Sequence, residues 1–171
     1  MNRTFMILAA VTLTLTVISS CSKESEEDSG AAAPATAEDQ TDGTSNLSGA
    51  TFFVENGKQD GVVTLPSGLQ YRVLRAGTGK SPTLSDRVRV HYRGVLLNGM
   101  EFDSSYKRGA PAEFGLAGLI KGWQEALPLM HEGAKWELYV PAELGYGETG
   151  AGNVIPPGAA LIFEIELIAV L

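Results

Sequence analysis

The sequence predicts an α+β domain in which one antiparallel β-sheet is half-wrapped around a single short α-helix. Two observations carry this prediction. Four segments after Gly68 alternate apolar and polar side chains with a period of two, as strands with one wet face do. One stretch around Trp123 repeats apolar residues at helical spacing, and Pro128 and Gly133 limit its end. A helix of that length can cover one face of a sheet, which gives a two-layer domain.

The predicted elements follow one another in a simple order. Two strands come first, and Asn98-Gly99 after the second marks a hairpin between apolar runs. The helix comes next, with apolar residues at Ile120, Trp123 and Leu127, and two further strands complete the sheet. Ahead of these, segment 51–58 fits either a short helix or a strand leading into the domain. The alternating apolar positions of the four strands are Leu69, Tyr71 and Val73; Val88, Val90 and Tyr92; Trp136, Leu138 and Val140; and Leu161, Phe163, Ile165 and Leu167.

Residues 1–20 have the pattern of a signal peptide. Arg3 supplies a positive start, an apolar run extends from Phe5 to Ile18, and small residues follow before Cys21. The run is too short for a comfortable transmembrane helix. Cys21 is the only cysteine of the chain, so an internal disulfide is excluded. A lone cysteine at the end of an export signal therefore needs another explanation.

The residues Val17-Ile18-Ser19-Ser20-Cys21 resemble a bacterial lipobox. The resemblance implies diacylglycerol on the Cys21 sulfur, cleavage before Cys21 and acylation of the new amino terminus, for example with palmitate. Several acyl chains on one residue give stable anchoring, because each buried CH₂ contributes about 0.8 kcal/mol. Ser22 stands where Asp often retains lipoproteins in the inner membrane, so we expect the outer membrane of a Gram-negative bacterium and a domain facing the periplasm. The alternative is an ordinary signal peptide cleaved nearby, with Cys21 a bystander.

Residues 21–50 are predicted to be the lipidated cysteine and a disordered acidic tether. Between residues 22 and 43, Glu and Asp greatly outnumber the single Lys23, and large apolar residues are almost missing. Such a segment buries too little to offset the entropy of ordering it. The formal net charge of −7 belongs mostly to this tether, and it argues against a nucleic-acid partner, which needs a basic face. The folded domain is expected to span residues 51–171.

The sequence of this domain lacks the patterns of common catalytic sites. The run Gly77-Thr78-Gly79-Lys80-Ser81 resembles the end of a phosphate-binding loop, but Leu74 stands where that motif needs Gly, so a turn between strands is favoured. His91 and His131 are too few for a metal site. No Gly-x-Ser-x-Gly nucleophile elbow occurs. We therefore expect neither a metal nor a cofactor.

Aromatic residues are more numerous than a small core requires. The loop 142–158 is rich in Gly and Pro, yet it keeps Tyr146, Val154 and Ile155. A loop of this length that retains apolar groups more often covers a pocket than merely joins two strands. The aromatic residues that stand out are Tyr92, Phe102, Phe114, Trp123, Tyr146 and Phe163. The sequence thus predicts an apolar pocket beneath this loop.

Six short motifs follow one another between Gly68 and the C-terminus. They are Val90-His91-Tyr92-Arg93-Gly94; Asn98-Gly99 followed by Phe102-Asp103-Ser104-Ser105; Leu119-Ile120-Lys121-Gly122-Trp123; Gly145-Tyr146-Gly147; Ile155-Pro156-Pro157; and Leu161-Ile162-Phe163-Glu164-Ile165-Glu166-Leu167. In this order and spacing they resemble the FKBP-type peptidyl-prolyl isomerases. The lead-in 55–71 is similar to the macrophage infectivity potentiator-like branch. That branch usually begins with a long helical dimerisation region; the acidic tether takes its place here, so we expect a monomer.

The resemblance implies an FKBP-like fold and a role for each motif residue. Trp123 would form the pocket floor under a proline ring, and the Tyr146 hydroxyl and the Ile120 backbone N–H would donate to ligand carbonyls. The catalytic residues would be Phe102, Asp103 and Tyr146. Asp103 would lie beside the twisting carbonyl carbon or fix Tyr92 by a hydrogen bond. The alternative for Asp103 is a turn cap. The walls would be formed by Tyr92, Phe102, Leu119, Ile120, Val154, Ile155 and Phe163.

Proline-containing polypeptides are the partners that the resemblance implies, and macrolides such as rapamycin are the inhibitors. The activity would be cis–trans isomerisation of X-Pro bonds during the folding of exported proteins. Ala112 stands where many members have an aromatic, so we expect a more open wall and a changed preference for the residue before proline; Phe114 is favoured as core. One alternative is a chaperone or binding module without turnover. Another is an adhesin or envelope structural protein.

The substitution Cys21→Ser is expected to move the protein from the membrane fraction to the soluble fraction, because it removes the sulfur that would carry the lipid. Fractionation of cells expressing the full chain measures this, with Ser22→Ala as the matched control that keeps the cysteine. A Cys21→Ser protein that stays in the membrane fraction would show that lipid on this residue is not the anchor.

Overall fold

The computed structural model describes residues 44–171, with side chains from residue 49 onward. The predicted signal peptide, Cys21 and the tether up to residue 43 lie outside the described residues. Among the described residues, no helix is both long and apolar enough to cross a membrane.

One antiparallel sheet dominates residues 44–171. Its seven strands are β1 (Val62–Thr64), β2 (Gln70–Arg75), β3 (Arg87–Leu96), β4 (Glu101–Ser104), β5 (Ala112–Gly115), β6 (Lys135–Val140) and β7 (Leu161–Val170). The strand order is β1-β2-β6-β7-β3-β4, and β5 pairs with the first half of β3. The four segments predicted from alternation are β2, β3, β6 and β7, and all four are consecutive in the middle of the sheet.

The helix α2 (Lys121–Ala126) covers the inner face of the sheet. It buries Trp123 and Ala126 against the strands, and a 3₁₀ turn at Leu127–Leu129 that contains Pro128 follows it. Gly122 lets the helix come close to β6, because a Cβ at this position would lie 2.8 Å from Cγ1 of Val140. The predicted fold class, an antiparallel sheet half-wrapped around one short helix, is confirmed.

A second helix, α1 (Thr44–Asn56), decides the open question about residues 51–58 in favour of a helix. Its last turn is fixed to β2 by the buried side chain of Gln70, which donates to the carbonyl oxygen of Phe53 at 2.8 Å and accepts from Nδ2 of Asn56 at 2.8 Å. The Phe53 carbonyl also accepts from the backbone N–H of Gly57 at 3.0 Å, so the side chain of Gln70 adds a second bond at the end of the helix. The predicted tether boundary at residue 50 therefore falls inside this helix.

Helix α1 also changes which face of the sheet is wet. The ring of Phe52 packs against Tyr139 with 5.8 Å between centroids, and Tyr139 and Gln70, neighbours in the β2–β6 register, are both buried. Alternation placed these two residues on the wet face, and that expectation is wrong because α1 covers this end. Conversely, Val73, predicted to face the core, is 45% exposed at the end of β2.

The phosphate-loop-like run 77–81 forms an irregular connection between β2 and β3. The backbone N–H groups of Thr78 and Gly79 donate to the carbonyl oxygen of Glu132. A Cβ on Gly77 would overlap the carbonyl oxygens of His131 and Glu132, so the glycine is required by close backbone packing. The amides that would hold a phosphate are thus already bonded to the turn around Glu132, which supports the structural interpretation of this run.

The Glu132 carboxylate joins this connection to the C-terminal strand. It accepts from the backbone N–H of Val170 at 2.6 Å and from that of Lys80 at 3.3 Å. These two hydrogen bonds hold the pKa of Glu132 below its ordinary value. A carboxyl group with a lowered pKa in the folded state stabilises the fold above its unfolded pKa and loses that contribution as the pH falls.

We therefore expect Glu132→Gln to lower the melting temperature at neutral pH and to weaken its decrease below about pH 4.5. Thermal unfolding between neutral and acid pH measures both effects. The matched control is Glu148→Gln, an exposed carboxylate on the loop after β6. Identical pH dependence in wild type and Glu132→Gln would contradict the assignment.

Candidate functional site

The inner face of the sheet, α2 and the loop between β6 and β7 enclose a pocket of about 440 Å³. Its lining is mainly apolar. The ten residues proposed from sequence all border it: Tyr92, Phe102, Asp103, Leu119, Ile120, Trp123, Tyr146, Val154, Ile155 and Phe163. They come from β3, β4, α2 and its N-terminal approach, the loop and β7, so only the tertiary fold brings them together.

Trp123 lies at the bottom of this pocket and is only 3% exposed. Its indole contacts Tyr92 and Phe163 edge-to-face, with centroid distances of 5.3 and 5.2 Å and interplanar angles of 83° in both pairs. Such perpendicular aromatic pairs are favourable and fix ring orientation. Nε1 of Trp123 is buried without a hydrogen-bond acceptor in the described part of the chain. The indole ring itself gives the floor a large apolar surface.

The back wall of the pocket depends on Gly94 in β3. The rings of Phe102 and Phe163 meet edge-to-face at 5.5 Å over this residue. A Cβ on Gly94 would lie 2.5 Å from Cζ of Phe102 and 2.9 Å from Cε1 of Phe163. The absence of a side chain at this position is therefore what lets β4 bring Phe102 against the pocket.

A charged group borders the apolar pocket on one side. Asp103 accepts hydrogen bonds from the Tyr92 hydroxyl and from Nη1 of Arg108, while Nη2 of Arg108 donates to the same hydroxyl at 2.8 Å. Burial alone would raise the pKa of Asp103, but the bonds from Tyr92 and Arg108 outweigh it and hold the pKa below its ordinary value. Burial, and next the bond to Asp103, raises the pKa of the Tyr92 hydroxyl. At neutral pH the edge thus presents a fixed carboxylate and a protonated phenol.

Tyr146 and Val154 lie on the loop that borders the pocket mouth. Tyr146 is 39% exposed, and its hydroxyl has no hydrogen-bond partner within residues 49–171. The loop is closed on itself, because the N–H of Gly158 donates to the carbonyl of Gly147 at 2.9 Å and Ala151 pairs with Ile155. This arrangement leaves the Tyr146 hydroxyl available to a bound ligand.

Sequence reasoning missed several residues of the site. Phe114 packs against the core as expected, and it also lines the pocket, where it contacts Tyr92 and Trp123 at 5.9 and 6.1 Å between ring centroids. Ala112 packs partly buried against the core, and the more open wall and the changed preference for the residue before proline stay predictions. Arg108 gave no signal, because its contacts depend on the path of the loop after β4. The alternation of β5, which sets Phe114 beside Val88, was a usable signal for Phe114.

Among the described residues, no cluster of three or more His, Cys, Asp or Glu side chains is suited to a metal ion. The pocket suits a compact apolar group placed over the Trp123 indole. Its rim carries the Asp103 carboxylate, the Tyr92 hydroxyl that is bonded to it, and the free Tyr146 hydroxyl. Such a site binds and orients a ligand without an evident nucleophile.

Comparison with known proteins agrees with this geometry. Residues 78–168 match the family model described as FKBP-type peptidyl-prolyl cis-trans isomerase, and residues 12–73 match the domain amino terminal to FKBP-type peptidyl-prolyl isomerase. The chain is 60% identical over 119 residues to the peptidyl-prolyl cis-trans isomerase Mip of Coxiella burnetii, covering 70% of this chain and 52% of that protein. It is 49% identical over 122 residues to the outer membrane protein MIP of Legionella longbeachae, with 71% and 52% covered.

A solved structure extends the likeness to the fold. The crystal structure of a peptidyl-prolyl cis-trans isomerase from Pseudomonas syringae has a TM-score of 0.70 and 40% sequence identity, and the match covers 82% of this chain and 98% of that one. The two curated relatives are longer, and the chain spans about half of the length of each.

The geometry at Gly94 gives a stability prediction. We expect Gly94→Ala to lower the free energy of unfolding by about 1–3 kcal/mol, because the new methyl group displaces Phe102 and Phe163. Urea denaturation measures the change. Gly115→Ala is the matched control, since a Cβ there meets no atom within 4 Å. Equal stability of the two variants would contradict the assigned packing.

Proposed function

Because the chain belongs to the FKBP-type peptidyl-prolyl cis-trans isomerase family, on its Mip-like branch, we propose that it accelerates cis–trans rotation of X-Pro bonds in exported polypeptides. The observation that carries the proposal is the aromatic pocket over Trp123 with the Asp103–Tyr92 edge and the free Tyr146 hydroxyl at its rim. No covalent bond is broken in such a reaction, which suits a site without a nucleophile.

The barrier to this rotation is electronic. Twisting the peptide bond abolishes amide resonance, and the uncatalysed barrier is about 18–20 kcal/mol. The twisted amide is less polar than the planar one because carbonyl and nitrogen are uncoupled. A water-poor apolar pocket therefore favours the twisted state over the planar state, and each 1.4 kcal/mol of preference gives about a tenfold rate gain.

The proposed binding mode places the proline ring on the face of Trp123. The backbone N–H of Ile120 lies just ahead of the first turn of α2, where amides lack intrahelical partners, and it would donate to a ligand carbonyl. The Tyr146 hydroxyl would donate to a second one. Asp103, held by Tyr92 and Arg108, would face the rotating carbonyl carbon.

The cellular setting proposed for this activity is the bacterial envelope. The name of the Legionella relative, an outer membrane protein, supports an envelope location. We propose anchoring by lipid on Cys21, a domain that faces the periplasm, a monomer and inhibition by rapamycin. The acidic segment after Cys21 would hold the isomerase domain away from anionic lipid headgroups.

A peptide assay on the chain without residues 1–21 tests the proposed function. We expect faster isomerisation of an X-Pro peptide than in buffer, and inhibition by rapamycin. Tyr146→Phe should lower kcat/KM by about 2–12-fold, as expected for one hydrogen bond, and Trp123→Ala should lower it more. Melting temperatures of both variants control for folding.

The assay also separates the isomerase from a chaperone or binding module without turnover. Rates equal to buffer, together with binding of apolar peptides, would favour the chaperone. Active Trp123→Ala and Tyr146→Phe variants with unchanged rates would show that the pocket is not the site.

A further inference from the structure

The loop between β4 and β5 contributes to both faces of the sheet. Along β3, Tyr92 points to the pocket and His91 to the outer face, as alternation requires. Arg108 reaches the Tyr92 hydroxyl on the pocket side, whereas the ring of Tyr106 stacks on His91 with 4.6 Å between centroids and an angle of 12°. Tyr106 and Arg108, two residues apart in the loop, therefore contact opposite faces of the sheet.

Tyr106 is fixed on the outer face by several contacts. Its hydroxyl donates to Glu166 at 3.3 Å, and Nζ of Lys135 lies 5.9 Å from its ring centroid. The preceding residue, Ser105, is completely buried, and its hydroxyl accepts from the N–H of Tyr92 at 2.8 Å. The start of the loop is therefore attached to β3, β6 and β7.

Arg108 is attached on the pocket side by its contacts to Asp103 and Tyr92. Its two Nη atoms divide between Asp103 and the Tyr92 hydroxyl, and its Cζ lies 5.3 Å from the Tyr92 ring centroid. A planar guanidinium can bridge two acceptors in a fixed geometry, which an ammonium group does not reproduce. The side chains of Arg108 and Asp103 are about half exposed, so their ion pair by itself adds little to the stability of the fold. Its effect is on the orientation of the carboxylate.

The contacts of Arg108 hold the Asp103 carboxylate at the pocket rim. We propose that Tyr106 is a positioning residue that keeps the loop in place for Arg108 from the opposite face of the sheet. Loss of Arg108 leaves Asp103 with the Tyr92 hydroxyl as its remaining side-chain partner. Loss of the Tyr106 ring releases the loop, so that Arg108 engages Asp103 for only part of the time. The effect on catalysis rests on the isomerase activity proposed above; the effect on Asp103 does not.

Two readouts on the chain without residues 1–21 test this proposal. Carboxyl ¹³C NMR follows the titration of Asp103, and kcat/KM for an X-Pro peptide is measured across pH. Arg108→Gln is expected to raise the pKa of Asp103, because burial then acts with less opposition, and to move the acid limb of kcat/KM in the same direction. At neutral pH we expect kcat/KM to fall by about 12–160-fold, the size of one hydrogen bond to a charged group.

Tyr106→Ala is expected to shift Asp103 in the same direction by a smaller amount. The double variant should be no worse than Arg108→Gln alone, since Tyr106 acts through Arg108. Tyr106→Phe keeps the stack on His91 and should remain close to wild type. Arg108→Lys should recover only part of the loss.

Arg89→Gln is the matched control. Arg89 forms an ion pair of similar exposure with Glu113 on neighbouring strands, away from Asp103. It should change neither the titration of Asp103 nor the pH profile. An unshifted Asp103 titration in Arg108→Gln, or additive effects of the Tyr106 and Arg108 substitutions, would overturn the proposal. A wild-type chain without isomerase activity would defeat the proposed function, and the titration of Asp103 would still decide the positioning.

Discussion

The close approach of α2 to the sheet sets the depth of the pocket. Gly122 lies against Val140, so the helix comes near enough for Trp123 to be buried among Tyr92, Phe114 and Phe163. A wider helix–sheet spacing would leave room beneath the indole and lose its perpendicular ring contacts. The floor on which a proline ring is proposed to rest therefore depends on a backbone contact rather than on a catalytic side chain. Gly94 has the same role at the back wall, where it admits Phe102 and Phe163.

An apolar pocket of this kind gains selectivity from what borders it. The Asp103 carboxylate lies at the rim, partly buried, and it accepts hydrogen bonds from Tyr92 and Arg108. A compensated charge keeps a defined direction and does not draw solvent into the pocket. In the proposed mechanism, the apolar floor over Trp123 and the oriented carboxylate at the rim both favour a twisted amide over a planar one. The loop that carries Tyr146 also borders the pocket.

The outer face of the sheet supports the site as well. Helix α1 covers one end of that face through Phe52 and the buried Gln70, and Tyr106 covers another part by stacking on His91. The sheet is thus packed on both sides where sequence alternation predicted one wet face. The chain that leads in from residue 44 is part of the folded unit, and the loop after β4 connects the outer packing to the pocket rim.

Alternation and helical spacing predicted the fold class, the four principal strands and the helix that carries Trp123, because both are local properties of the chain. The ten pocket residues were expected only from the resemblance of the ordered motifs to a known family. The packing of the whole chain decides which further groups cover each face. Periodicity states that Tyr139 and Gln70 share a side, but not that α1 lies over them, and it does not show that Phe114 faces the pocket. Arg108 is the clearest case: its side chain meets Asp103 and Tyr92 only because the loop folds around the sheet edge. Contacts across elements depend on chain path and packing, which a one-dimensional pattern does not contain.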